Sequence, residues 1–316
     1  VARRLVQFFP LLLVVVVINF VLMHMAPGDV ASIMAGETQD PAFIAHIRQR
    51  FGFDRPLHEQ LFIYIGRVAS GDLGDSYLSR RPVLTIIGER IGPTLLLVGT
   101  SLVLAALIGT IIGTLVSRLA GSSTDVAVSI VAVGSYSIPV FWLGLMLILL
   151  FAIHLRWFPT SGMVDFLGTQ PGWDTIRDRL HHLVLPSVTL MLGGFGQYVR
   201  VARTSVLQVL SEDFITTVRA IGFRPNTILI RHALRNASLP IVSMLGLQLG
   251  LALTGAVLTE TVFAWPGLGR LVYESILARD RPVIMGAYVV MAACVMVASL
   301  VTDLLYAVLD PRVVYK

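Results

Sequence analysis

Between Ala220 and Asn236 the chain reads AIGFRPNTILIRHALRN, which sets Arg224, Arg231, His232 and Arg235 close together in a sequence that is 55% hydrophobic. Guanidinium groups at that density offer recognition chemistry, toward acidic or carbonyl-lined protein surfaces or toward anionic lipid. Bond-breaking chemistry is less well supplied. A phosphate-cradling G-x-x-x-x-G-K-[ST] loop needs its lysine to neutralise the phosphates. Lys316 is the only lysine among the 24 basic residues, so the chain has no such loop, and any ATP would be hydrolysed by a partner. The stretch His58-Glu59-Gln60-Leu61-Phe62 opens like a zinc-protease helix but carries phenylalanine where the second histidine belongs. His181 and His182 could ligate a metal, but adjacent residues on a helix point about 100° apart, so a satisfied interfacial pair is expected. A G-x-S-x-G nucleophile elbow is also missing. No catalytic residue, metal site or cofactor is expected in this chain.

The elements that must position the basic stretch are apolar. Mean hydropathy is +0.80 with 14% charged residues, a composition that points to the bilayer as solvent. A hydrocarbon core roughly 30 Å thick needs about 20 mostly apolar helical residues. Six runs qualify: Leu5 to Met25, Pro93 to Ser117, Val126 to Leu155, Leu183 to Val199, Ser238 to Thr259 and Val283 to Leu309. The first follows Arg3 and Arg4, outlasts a secretory h-region and meets no cleavage site, so an uncleaved anchor is expected. The lone cysteine, Cys294, excludes an internal disulfide.

Arginine in short loops marks the cytoplasmic side. With the N-terminus inside, the inner segments hold Arg3 and Arg4; Arg118; Arg200, Arg203, Arg219, Arg224, Arg231 and Arg235; and Arg312 with Lys316. The outer segments balance, residues 26–92 holding seven arginines against eight acids. Both termini and the basic stretch are therefore expected in the cytoplasm. For Arg200 and Arg203 topology alone is reason enough.

The rest of the basic loop has helix signals that a topology marker does not need. Ser211-Glu212-Asp213 reads as a capped helix start, with acids at the positive end of the dipole. Gly222 supplies a break, and Pro225 suits the first turn of a second short helix. There Ile228, Leu229 and Ala233 make an apolar surface while Arg224, Arg231 and Arg235 stay polar. Such a helix would lie on anionic lipid or in a protein groove.

From Glu212 through Gly222, and on through Arg231-His232-Ala233-Leu234-Arg235-Asn236 to Leu239-Pro240, this loop resembles the EAA loop of ATP-binding-cassette importer permeases. The likeness is greatest to the dipeptide and oligopeptide group. Ala26-Pro27-Gly28-Asp29, Phe51-Gly52-Phe53-Asp54-Arg55-Pro56-Leu57, Gly71-Asp72-Leu73-Gly74, Arg81-Pro82-Val83, the Val262 to Arg270 stretch and Asp310-Pro311-Arg312-Val313-Val314-Tyr315 extend it over almost the whole chain. The sequence departs from the general pattern in having Thr216-Thr217-Val218 where Glu-Ala-Ala would stand, and in a later Leu239-Pro240; peptide-type permeases share both departures.

The resemblance implies an all-α membrane protein of the type I, MetI-like permease fold with six spans in the bacterial inner membrane. An anchor at 1–25, an extracytoplasmic segment at 26–92 and a five-helix core at 93–316 follow, with the coupling loop at about 205–237. It implies a second homologous permease, cytoplasmic ATPases that carry the Mg-ATP, an extracytoplasmic substrate-binding protein and surrounding lipid as partners, and no nucleic acid. In the coupling loop, Phe223, Ile228 and Leu229 would fill apolar sockets of the ATPase. Arg219, Arg224, Arg231 and Arg235 would meet its rim, with Glu212, Asp213, Ala220 and His232 completing the loop, and Gly222 would permit the turn. Gly109 with Gly113, Gly193, Gly194 and Gly196, and Gly246 with Gly250 would allow close helix contact, within the chain or with the second permease. Ser135, Tyr136, Ser137, Gln197, Tyr198 and Gln248 are the polar candidates for a pathway lining. Phe263, Trp265, Pro266, Gly267 and Arg270 would either receive the binding protein or seal the helix ends. A secondary transporter or channel is the rival, and would show acids at mid-membrane or inverted repeats, neither of which is clear here. A membrane-anchored assembly protein ranks third.

Overall fold

The computed structural model describes residues 2–25, 31–32, 40–165 and 172–309; the Ala26-Pro27-Gly28-Asp29 motif and the tail Asp310 to Tyr315 lie outside them. Twelve helices are used below: α1 (Ala2–Met25), α2 (Pro41–Phe51), α3 (Leu57–Ala69), α4 (Val83–Ser117), α5 (Ser123–Ser137), α6 (Val140–Leu147), α7 (Trp173–Leu210), α8 (Asp213–Ala220), α9 (Pro225–Thr227), α10 (Ser238–Val262), α11 (Leu268–Leu277) and α12 (Arg281–Leu309). Helices α6 and α9 each continue into a π-helical turn, Ile148–His154 and Ile228–Leu234. Among the described residues, the pairing of Asp75 with Pro82 is an isolated antiparallel bridge.

Among the described residues, three helices are long and apolar enough to cross a membrane: Val6–Met25, Val83–Ser117 and Arg281–Leu304. The run expected as one span over Val126 to Leu155 is broken. Its halves α5 and α6 meet at 100°, and they make a fourth span only if taken together. Pro139 is the cause. Its ring bars the helical conformation for Ile138, which is extended at φ −81° and ψ 131°. The two remaining runs lie in α7, where charged turns flank the apolar middle, and in α10, whose 25 residues contain the whole run Ser238 to Thr259.

The chain forms two compact units. In the first, residues 1–92 and 271–296, Asp40 caps α2 by accepting from the Ala42 N–H at 3.0 Å, Pro41 fills the first turn and Gly52 ends the helix at φ 72°. This is the helix entry that Asp40-Pro41 predicts. Helix α1 packs on α3 through Phe20 and Tyr64, with ring centroids 6.0 Å apart, and Asn19 donates to the Met285 carbonyl at 2.9 Å. Buried Asp280 accepts from Ser76 Oγ at 2.5 Å and from the Tyr77 N–H at 3.1 Å. Burial pushes the Tyr77 hydroxyl up to about 12.

The second unit, residues 93–270 with 297–316, is built on α7. Side chains are traded for backbone proximity where α4 and α5 cross it: a β-carbon on Gly109 would lie 2.6 Å from Tyr198 Cβ, and one on Gly196 would overlap the Ala132 carbonyl oxygen. Gly109, Gly113 and Gly196 thus serve packing inside the chain. Gly246 on α10 does the same against Thr302 of α12.

Candidate functional site

The loop after α7 is a small folded body. Val206 and Val209 at the end of α7, Ile215 of α8, and Ile228, Leu229, Ala233 and Ala237 form one buried apolar cluster, to which Leu210, Phe214, Val218 and Leu234 add their edges. Helix α8 starts at Asp213 with Glu212 as its cap residue, although the Glu212 side chain makes no capping bond. The Ser211 hydroxyl does not cap it either; it donates back to the Gln208 carbonyl at 2.6 Å. Gly222 turns the chain at φ 92°, a left-handed conformation that costs an L side chain about 1–2 kcal/mol, and Pro225 then opens α9 as predicted.

This core corrects the expected roles of two residues. Ile228 and Leu229 are 5% and 3% exposed, because the period of their helix turns them with Ala233 onto α7 and α8. They hold the loop together and are not free to fill a partner's sockets. The outward apolar groups are Phe223 and two residues that sequence reasoning passed over, Ile221 and Ile230, the last two 69% and 63% exposed. Ile230 was legible in principle: with Ile228, Leu229 and Ala233 on one face, it falls on the other. Around them Glu212, Asp213, Arg219, Ala220, Gly222, Arg224, Arg231 and Arg235 are all exposed, and His232 is half-buried with its ring 5.4 Å from that of Phe223, edge to face. The loop therefore exposes three apolar side chains and four arginines above a buried apolar core.

The loop and the neighbouring helices are tied by polar contacts. Arg118, just after α4, donates to Asn226 Oδ1 at 2.7 Å. Arg203 on α7 holds buried Asp125 of α5 through Nε at 2.5 Å and Nη2 at 2.7 Å, and the Gly121 N–H adds a third bond at 2.9 Å. Arg203 is thus more than a topology signal.

The candidate lining residues divide. Gln248 of α10 donates to Gln197 Oε1 of α7 at 2.5 Å, joining two of them in one polar pair. Ser135 and Ser137 return their hydroxyls to the carbonyls of Ala132 and Val133, both at 2.8 Å, and half-buried Tyr136 lies between them just before the Pro139 bend. Tyr198 does not belong with them. It is fully buried in this chain among Leu102, Ala105, Ala106, Ala202 and Ile241, so it is core and not lining.

The aromatic Pro-Gly loop also turns inward. Phe263 and Trp265 are 2% and 0% exposed, with Trp265 Nε1 donating to the Pro93 carbonyl at 3.0 Å, and neither can anchor an external protein. The reason is Glu260, fully buried and passed over in sequence reasoning as one more loop charge. Its carboxylate accepts from Thr94 Oγ1 at 2.6 Å and from the Arg270 N–H at 2.9 Å, and the Leu268 N–H donates to Thr94 Oγ1 at 2.7 Å. A β-carbon on Gly267 would collide with that carboxylate. Arg270 spends Nη1 on the Ala264 carbonyl at 2.6 Å; it and Pro266 are half-buried. The loop wraps a buried acid, which needs this many donors to remain inside.

Comparison with known proteins covers nearly the whole chain. The family model described as binding-protein-dependent transport system inner membrane component matches residues 105–315, and the model for the N-terminal part of such components matches residues 1–98. The glutathione transport system permease protein GsiC of Salmonella typhimurium strain LT2 is 40% identical over 316 residues, covering 100% of this chain and 99% of its own length. The oligopeptide transport system permease protein AppB of Bacillus subtilis strain 168 is 37% identical over 314 residues, covering 99% and 98%. A chain from the MetNI methionine ABC transporter, in an inward-facing conformation, superposes with a TM-score of 0.58 at 18% identity, over 72% of this chain and 97% of that one, which is a likeness of fold.

Proposed function

The chain belongs to the family of binding-protein-dependent transport system inner membrane components, and from that premise we propose that, with a second homologous permease, it forms the path by which an ATP-driven importer moves dipeptides, oligopeptides or small relatives such as glutathione. Full-length similarity to both a glutathione and an oligopeptide permease supports that substrate class. The observation that carries the mechanism is the outward face of the loop after α7: Ile221, Phe223 and Ile230 among Arg219, Arg224, Arg231 and Arg235.

This face docks into a cytoplasmic ATPase, the apolar groups entering the groove and the arginines meeting acids or carbonyls at its rim. Mg-ATP is bound and hydrolysed in that partner. Closure of the ATPases around ATP moves the loop as a body. Because Ile228 and Leu229 fasten it to α7, and Arg118 and Arg203 tie the adjoining helix ends of α4, α7 and α5, the displacement is handed to the helices instead of being lost in a soft linker. Both termini lie in the cytoplasm of a bacterial inner-membrane protein, and a separate extracytoplasmic protein delivers the substrate. The Gln197 and Gln248 pair, with Tyr136 at the α5 bend, faces the path.

Uptake of isotope-labelled dipeptides, tripeptides and glutathione, compared in cells with and without the chain, tests the reading. Loss of one of these uptakes, sensitive to ATP depletion and indifferent to a protonophore, is the expected result. Uptake that survives ATP depletion and collapses with the protonophore would instead make the chain part of a secondary transporter.

A further inference from the structure

The two adjacent histidines of α7 serve different neighbours. His181 places Nε2 2.8 Å from the Trp157 carbonyl and its ring 5.3 Å from Phe158. His182 turns the other way, its side chain only 2% exposed, and two carboxylates meet it there. Its Nδ1 lies 3.0 Å from the carbonyl oxygen of Asp178, one turn back, and 3.2 Å from Asp178 Oδ1. Both are acceptors, so these partners place a ring hydrogen on Nδ1 and leave Nε2 as the nitrogen open to a metal. Nε2 faces Asp165 Oδ1 at 3.6 Å, beyond hydrogen-bond reach. Asp165 is itself held, its N–H donating to Asp178 Oδ2 at 2.8 Å.

One ligand atom from each of the three side chains thus lies within 4.8 Å of the others. Two carboxylates beside a nearly buried imidazole call for a positive charge among them, which a proton on Nε2 or a metal ion supplies. We propose that Asp165, Asp178 and His182 form a site for a divalent transition metal of the zinc class, a role that neither transport nor coupling to ATP requires. One imidazole and two carboxylates suit zinc, with water as the fourth ligand. The bond from Nδ1–H to a backbone carbonyl is the outer contact that fixes a ligating histidine. Zinc bonds of about 2.0–2.2 Å put tetrahedral ligand atoms roughly 3.3 Å apart, so the site must contract. Asp165, with its side chain 70% exposed, is the arm free to close. A hollow of about 500 Å³ lined by Asp174, Arg177, Asp178, Leu180, His181 and Val184 gives an approach from the Asp178 side. Bound metal would clip Asp165 to the start of α7.

The test uses the intact permease complex, purified through a tag without histidine, stripped with a chelator and titrated with Zn²⁺ by calorimetry. Wild type is expected to take up about one Zn²⁺ at this site per chain and to gain thermal stability from it. Asp165→Asn, at an exposed position, should fold as wild type yet bind at least about tenfold more weakly. His182→Gln should lose the metal-induced shift of its melting curve. Wild type that binds no Zn²⁺, leaving His182 to share a proton with the acids instead, overturns the proposal, as does Asp165→Asn binding with unchanged affinity. Either result is independent of whether the chain transports peptides.

Discussion

Arg203 grips Asp125 with one edge of its guanidinium, Nε to Oδ1 at 2.5 Å and Nη2 to Oδ2 at 2.7 Å, and so fastens the start of α5 to α7 one turn before the buried core of the following loop begins. Both oxygens of a carboxylate that is 4% exposed are used, and Gly121 completes the set. A lysine offers one point charge in place of this planar fork.

Arg203→Ala is therefore expected to destabilise the protein, though less than the loss of a fully buried pair would, because the arginine side chain is 28% exposed. Arg203→Lys should recover only part of it. Thermal unfolding of the purified complex measures both. Adding Asp125→Asn to Arg203→Ala should cost little more than Arg203→Ala alone, whereas strict additivity would mean the two groups do not act as a pair.

The two faces of the loop should respond differently to truncation. Ile228→Ala and Leu229→Ala remove buried side chains and are expected to cost about 2–5 kcal/mol each. Ile221→Ala and Ile230→Ala should stay within about 0.5 kcal/mol of wild type in the isolated chain. Their effect should appear only as weaker capture of the ATPase, measured with purified partner.

Gly222 has open space around it within this chain, so a side chain there is opposed by its φ of 92° and by whatever docks against it. Gly222→Asp is expected to leave membrane abundance unchanged and to abolish ATP-driven uptake, since it also sets an acid among the arginines. An immunoblot beside the uptake assay separates the two effects. Wild-type uptake by this variant would remove the loop from the coupling mechanism.

At the other end of α10, Gly267→Ala forces a methyl group onto the Glu260 carboxylate and should cost about 1–3 kcal/mol. Glu260→Gln keeps the volume and one acceptor oxygen, so the milder loss is expected there. Comparing the two melting curves distinguishes crowding from charge.

Local signals in the sequence were read well where local physics decides. Gly222 and Pro225 turn and restart the chain, and the apolar runs at 5–25, 93–117 and 283–309 lie in long helices. The errors came from competition between signals. Pro139 stood in plain view inside an apolar run, but hydropathy outweighed it and the 100° bend was missed. Ile228 and Leu229 were apolar and on one face, yet periodicity does not say whether that face meets a partner or the protein's own helix; the presence of Val206, Val209 and Ile215 on the preceding elements decides it. Phe263 and Trp265 look like surface anchors until Thr94, far away in the chain, is seen to hold Glu260 beside them. That contact has no signature in either segment alone.

The claim that the Ile221, Phe223 and Ile230 face couples the chain to an ATPase is tested most directly by purifying the tagged chain from its native host and quantifying by mass spectrometry what accompanies it, for wild type and for Ile230→Asp. A second permease is expected with both proteins and a P-loop ATPase with wild type alone. An ATPase retained in full by Ile230→Asp, or absent from wild type, would contradict it.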